Sequence, residues 1–188
     1  NVEEAQQLMA AAGYPNGEGM PVLRMITMNN QEDIHTAQAP QAMWKTNLGI
    51  ETEITTYESA VYGDVFGRDD WDIARDGWTG DYDDPTTNMF LWEAHREVNE
   101  DGTLKDARWY NLPNSIKYDE LMKQTYVELD FETRMNLFVE AEKTLLEDMP
   151  VLPLFFYDDS ILCKPEVAGV LKSYIGHVFF QYADVAVD

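Results

Sequence analysis

Apolar positions recur along the chain in two periods, and they divide it into alternating helices and strands. Val2 to Ala12 places Val2, Ala5, Leu8, Met9 and Ala12 on one helical face, and Gly13 stops that helix. Tyr14 to Gly17 (YPNG) reads as a turn. Val22 to Met28 reads as a strand with apolar residues on both faces. Gln31 to Asn47 predicts a helix whose core face is Ala39, Met43 and Trp44, and Pro40 inside it predicts a kink or a late start. Ile50 to Tyr57 alternates strictly, which predicts a half-buried strand. Ser59 to Gly67 predicts a short helix with Ser59 as N-cap, and Trp71 to Ala74 a third strand. Helices and strands in strict alternation predict α/β units around a mainly parallel sheet.

The second half is patterned differently. Thr86 to Glu93 reads as helical, and the polar stretch from Ala94 to Leu112 reads as surface loop. Ser115 to Leu129 predicts a helix with Ile116, Leu121, Met122, Tyr126 and Leu129 inward. Phe131 to Asp148 predicts a stronger one, capped by Asp130, with Met135, Phe138, Val139, Leu145 and Leu146 on its apolar stripe. Val151 to Tyr157 (VLPLFFY) reads as an apolar strand, with Pro153 against a central position, and Ser160 to Cys163 as a second short strand. In the tail, Val178, Phe179 and Phe180 read as buried. There is no internal repeat and no low-complexity run.

Composition narrows the functional classes. The chain has 188 residues, enough for one domain or one large lobe. Its 13 basic and 35 acidic residues leave a net charge of −22. Nucleic acid and anionic membrane surfaces are excluded as partners, because both require clustered Lys and Arg. The acid excess reads either as a solvated surface or as a field that draws cationic ligands into a cleft. Cys163 is the single cysteine, so neither an internal disulfide nor a Cys-based zinc site is available. No apolar run of about 18 residues occurs, so membrane insertion of this stretch is not expected. The opening NVEEAQQLMAAAGY reads as a helix already under way, as in a piece of a longer protein.

Trp71 to Pro85 (WDIARDGWTGDYDDP) concentrates the candidate chemistry. A short strand runs into a loop with two glycines (Gly77, Gly80), two aromatics (Trp78, Tyr82) and four acids (Asp76, Asp81, Asp83, Asp84). Strand-to-loop junctions of this kind carry ligands in α/β proteins. Asp81 reads equally as a turn-forming aspartate and as a carboxylate aimed at a ligand ammonium; Trp78 reads equally as core and as pocket wall. His35, His95 and His177 are isolated, and the acids lack EF-hand spacing, so no metal is expected. No nucleophile elbow or phosphate loop is present, Cys163 sits in an apolar strand context where a thiol is inert, and no cofactor is expected. Paired acids such as Asp76 and Asp81 leave one enzymatic alternative, a carboxylate-dependent hydrolase.

In order and spacing, the segments AQQLMAAAGYPNG, MWKTNLGIETEI, WDIARDGWTGDYDDP, WYNLPNSIKYDELM, RMNLFVEAEKTLLEDMPVLPLFFY and KPEVAGV resemble the C-terminal part of family 5 extracellular solute-binding proteins. These serve peptide and nickel ABC transporters. The resemblance implies an α/β lobe of a clamp-like, type II periplasmic-binding-protein fold, with a mixed sheet flanked by helices. Residues 1–188 would then form a single C-terminal lobe, with the N-terminal lobe elsewhere. It implies a non-enzymatic peptide binder outside the cytoplasmic membrane, periplasmic or lipid-anchored, that delivers its ligand to the ABC permease subunits. Related binders of sugars or nickel chelates are the alternative, and a peptide sensor is a further one. By the same resemblance, Asp81 takes the peptide α-amino group. Trp78, Thr79 and Gly77 line its path, Tyr157 walls a pocket, and Arg75, Arg68 and Asn30 face the cleft, with His35 beside them.

Overall fold

Three parallel strands in the order β2-β1-β3 form the sheet of the N-terminal half: β1 (Leu23–Met28), β2 (Thr52–Tyr57) and β3 (Ile73–Ala74). The computed structural model describes residues 1–68, 70–93, 109, 112, 114–158, 160–173 and 175–185. The chain divides into two units, Asn1–Gly77 and Trp78–Asp188.

In the first unit, α1 (Val2–Ala11) precedes β1, α2 (Gln31–Leu48) links β1 to β2, and α3 (Ser59–Phe66) links β2 to β3. Met25 pairs with Ile54 on one side and Ile73 on the other, so β1 is central. A central parallel strand is covered on both faces, and adjacent Met25 and Ile26 are both buried. Ile26 packs with Tyr62 and Val65 of α3. Asp72 secures the short β3 edge: its carboxylate accepts from the Arg24 main-chain N–H at 2.7 Å and from the Arg24 guanidinium.

Several expectations here are corrected. Helix α2 starts at Gln31 and runs unbroken through Pro40. Its start is set by Asn30, whose side chain accepts from Asp33 N–H, and by burial of Asp33. The buried positions of α2 are Asp33 and Ala37, whereas Met43 is 62% exposed, because a tertiary ion pair rather than the apolar stripe sets its rotation. Glu58, not Ser59, caps α3, without a side-chain bond.

Where α2 ends, two glycines meet. Gly49 is left-handed (φ 71°), and Gly17 in the preceding turn has φ 77°. A Cβ on Gly17 would lie 2.2 Å from the Gly49 carbonyl oxygen, and one on Gly49 would lie 2.0 Å from the Asn16 oxygen. The two stretches are therefore in main-chain contact.

The second unit is built on a helical hairpin, α5 (Ser115–Thr125) and α6 (Phe131–Asp148), preceded by α4 (Thr86–Met89) and a 3-10 turn, Phe90–Trp92. Tyr118, Met122, Phe138, Ala141 and Leu145 form its core. Tyr118 also donates to the Met89 carbonyl at 2.6 Å, tying α4 to the hairpin. Asp130 caps α6 as expected, accepting from Thr133 N–H at 2.9 Å. The apolar stripes differ from expectation. Ile116, Leu129 and Val139 are exposed, and Thr125, Ala141 and Thr144 take buried places, since small residues allow the two helices to approach.

The two strands expected at Val151–Tyr157 and Ser160–Cys163 do not form; the described residues of the segment take no regular structure. Phe156 and Leu162 are almost fully exposed, and the lone cysteine, Cys163, is exposed as well, not inside a strand. The tail makes two antiparallel pairs instead: β4 (Val167–Ala168) with β7 (Asp184–Val185), and β5 (Leu171–Lys172) with β6 (Val178–Phe179). Phe179 and Phe180 are exposed there, not buried. The expected loop at 94–112 lies largely outside the described residues.

Candidate functional site

In parallel α/β sheets, ligands approach beyond the carboxyl ends of the strands, where successive crossovers leave in opposite directions. In the first unit that place lies between the ends of β1 and β3. The structure fills it with its own side chains. Arg75, directly after β3, forms an ion pair with Asp33 in the first turn of α2. Both are buried, at 7% and 5% exposure. Asn30 holds Asp33 in turn, with its amide donating to Asp33 Oδ2 at 2.6 Å. The Arg75 carbonyl accepts from the Tyr62 hydroxyl at 2.7 Å. Burial, aided by the Asp76 carboxylate, holds that phenol well above its usual range, so it stays a donor.

Arg75 and Asn30, both expected to face ligand, are thus brought together through Asp33. Asn30 serves as a helix cap, and the Arg75 guanidinium is engaged internally. Arg68 is exposed just past α3, its N–H bonded to Val65 O. His35 is exposed in α2. Gly77 is exposed, and its N–H donates to the Asp76 carboxylate at 2.8 Å.

The second unit holds the remainder of the loop. Trp78 is 44% exposed and meets Phe90 edge-on, with ring centroids 6.0 Å apart. It is therefore a partly supported surface ring and not core. Thr79 and Asp81 are exposed. Among the described residues the Asp81 carboxylate has no hydrogen-bond or ion-pair partner, although its main-chain N–H donates to Thr87 Oγ1 at 2.8 Å. Tyr157 is 49% exposed and packs edge-on against Phe155.

Asp84 behaves differently from Asp81. Its two carboxylate oxygens receive two Arg134 nitrogens, at 2.6 and 2.9 Å. It also accepts from the Thr86 N–H and hydroxyl at 3.0 and 2.7 Å. These hydrogen bonds, Arg134 first, outweigh partial burial and hold the carboxyl far below the usual carboxylate range. Arg134 donates further to Thr125 O at 2.8 Å and lies over the Phe138 ring. A pocket of about 440 Å³ opens beside this ion pair, between Tyr82, Pro85, Thr87, Phe131, Met135 and Ile175. Neither Trp78 nor Asp81 lines it.

Sequence reasoning missed Asp33, Tyr62, Thr86, Thr87 and Arg134. The Asp84-Pro85-Thr86 run did carry a signal, since an aspartate two residues before a main-chain donor makes an Asx turn. Arg134 carried none, being 50 positions from its partner.

No described helix is long and apolar enough to cross a membrane. Residues 1–100 match the bacterial extracellular solute-binding proteins, family 5, in the middle region of that family. The oligopeptide-binding protein OppA of Bacillus subtilis is 34% identical over 91% of this chain and 30% of its own length. Among solved structures, the murein tripeptide binding protein MppA of Escherichia coli superposes with a TM-score of 0.71 at 27% identity. That match covers 89% of this chain and 31% of MppA. Haemophilus influenzae OppA, solved with the peptide RPPGFSPFR, gives 0.69 at 28% identity, covering 89% and 31%. The chain thus spans under a third of the length of these relatives. On sequence and fold together, it belongs to family 5 of the bacterial extracellular solute-binding proteins.

Proposed function

We infer that the chain is the C-terminal lobe of the substrate-binding component of a peptide importer, acting outside the cytoplasmic membrane and delivering ligand to an ABC permease. The observation that carries this reading is the Asp81 carboxylate. It is exposed and unpartnered among the described residues, in a loop whose neighbouring acid, Asp84, is fully engaged. A carboxylate held ready in this way suits a ligand ammonium and selects against ligands that lack one once the cleft closes. The exposed rings of Trp78 and Tyr157 serve as walls, and Gly77 and Thr79 offer main-chain groups to a peptide held as an extended strand. Arg75, directly after β3 and fixed by Asp33, anchors the strand end from which the loop departs. Relatives named for oligopeptides and a murein tripeptide support the peptide class. Ligand release is without chemical change, and closure of a second lobe over the loop completes the site.

The test is calorimetry on the full-length protein with trialanine and N-acetyl-trialanine. The free peptide is expected to bind far more tightly. Asp81→Ala is expected to weaken it by about 30-fold or more, the effect of removing one partner of a buried charge pair. Equal affinity for the two peptides, or no loss in Asp81→Ala, overturns the reading.

A further inference from the structure

An exposed loop carboxylate discriminates between ligands only if its main chain is fixed, because a displacement of about 1 Å misdirects a charge-assisted hydrogen bond. In this loop the fixing contact is a hydroxyl. The Asp81 N–H donates to Thr87 Oγ1 at 2.8 Å, and Thr87 is only 2% exposed. The Thr87 N–H donates in turn to Asp84 O at 3.1 Å, closing the loop on itself. Its neighbour Thr86 donates to Asp84 Oδ1 at 2.7 Å and lies 3.1 Å from Tyr82 Oη. Arg134 of α6 clasps Asp84 from the helical hairpin. Gly80 completes the fit: a Cβ there would stand 2.9 Å from Thr87 Cγ2, and a buried threonine has no room to swing away.

We propose that Thr87 is a positioning residue for Asp81, its hydroxyl fixing the main chain so that the carboxylate is presented to a ligand ammonium. The proposal rests on the reading of Asp81 as the ammonium anchor. Thr87 acts on the ligand through Asp81. Replacement by valine keeps the shape and removes the acceptor, so the Asp81 N–H loses this partner and the main chain is no longer held there. Replacement by serine keeps the acceptor.

The experiment measures, on full-length protein, the affinity ratio of trialanine to N-acetyl-trialanine in wild type, Thr87→Val, Thr87→Ser and Asp81→Ala, with a melting temperature for each. Thr87→Val is expected to lower the ratio by about five- to tenfold, the worth of one hydrogen bond. Thr87→Ser is expected to keep it near wild type. A ratio lost in Asp81→Ala but intact in Thr87→Val overturns the positioning role and leaves the anchor standing. Equal weakening of both peptides by Thr87→Val, with a lower melting temperature, also overturns it, since that is a purely structural effect. A ratio unchanged in Asp81→Ala removes the anchor and the proposal together.

Discussion

Two aspartates three positions apart in the loop differ in their partners. Asp81 leaves its carboxylate open, and Asp84 commits both of its oxygens to Arg134 and Thr86. The committed one makes stability depend on pH. Its folded pKa is depressed, so its contribution is complete above the ordinary carboxylate value, about 3.9, and is lost as pH falls below that toward the folded value. Asp84→Asn is therefore expected to cost about 2 kcal/mol near neutrality, as for hydrogen bonds to charged groups. The gap to wild type is expected to narrow as pH drops below about 4. Urea melts across that range check this; a gap constant with pH would mean that the pair adds nothing through charge. The sequence showed four acids in this loop without ranking Asp84. Its partner arrives from a helix 50 positions away, a pairing that no local pattern encodes.

Among elements, the two 18-residue helices show what local signals carry. Helix α6 was legible at both ends of its range, because Asp130 is a capping residue and Met149-Pro150 cannot continue the helix. Helix α2 was legible in extent but not in rotation, since Asp33 turns inward to meet Arg75. Both helices end in a left-handed residue, Gly49 at φ 71° and Met149 at φ 47°. Only the first is conformationally free. Met149 is 55% exposed, so little packing opposes its replacement. Met149→Gly is expected to stabilise the chain by about 0.5–1 kcal/mol, relief of left-handed strain less the added unfolded-state entropy. Chemical denaturation reads this out, and a destabilised variant would show that the Met149 side chain packs more than its exposure indicates. The segment from Val151 to Cys163 was misread for another reason. Apolar, β-prone residues predict a strand only where a neighbour supplies a ladder, and among the described residues none does so.

At the scale of the whole chain, alternation of helices and strands was sufficient to foresee the parallel sheet, because β1 reads apolar on both faces and is covered on both. The division into two units falls between Gly77 and Trp78, inside a stretch that reads as one continuous loop, and glycine-rich turns look alike whether they join units or lie within one. Charge acts on the chain as a whole. A net charge of −22 repels itself, and added salt shortens the reach of that repulsion from about 30 Å at 0.01 M to about 8 Å at 0.15 M. The melting temperature is expected to rise by a few degrees across that range, as followed by circular dichroism. A flat or falling curve would show that attractive pairs, such as Arg134 with Asp84, outweigh the net field.

The glycine pair at the end of α2 also limits how this protein can change. Most harmful substitutions can be rescued by trimming whatever they strike. At Gly17 and Gly49 the obstacle to a new side chain is a peptide carbonyl, which every amino acid carries. No second-site change restores the fit, so in any lineage or library the two positions are closed to each other's compensation and each must hold glycine on its own account.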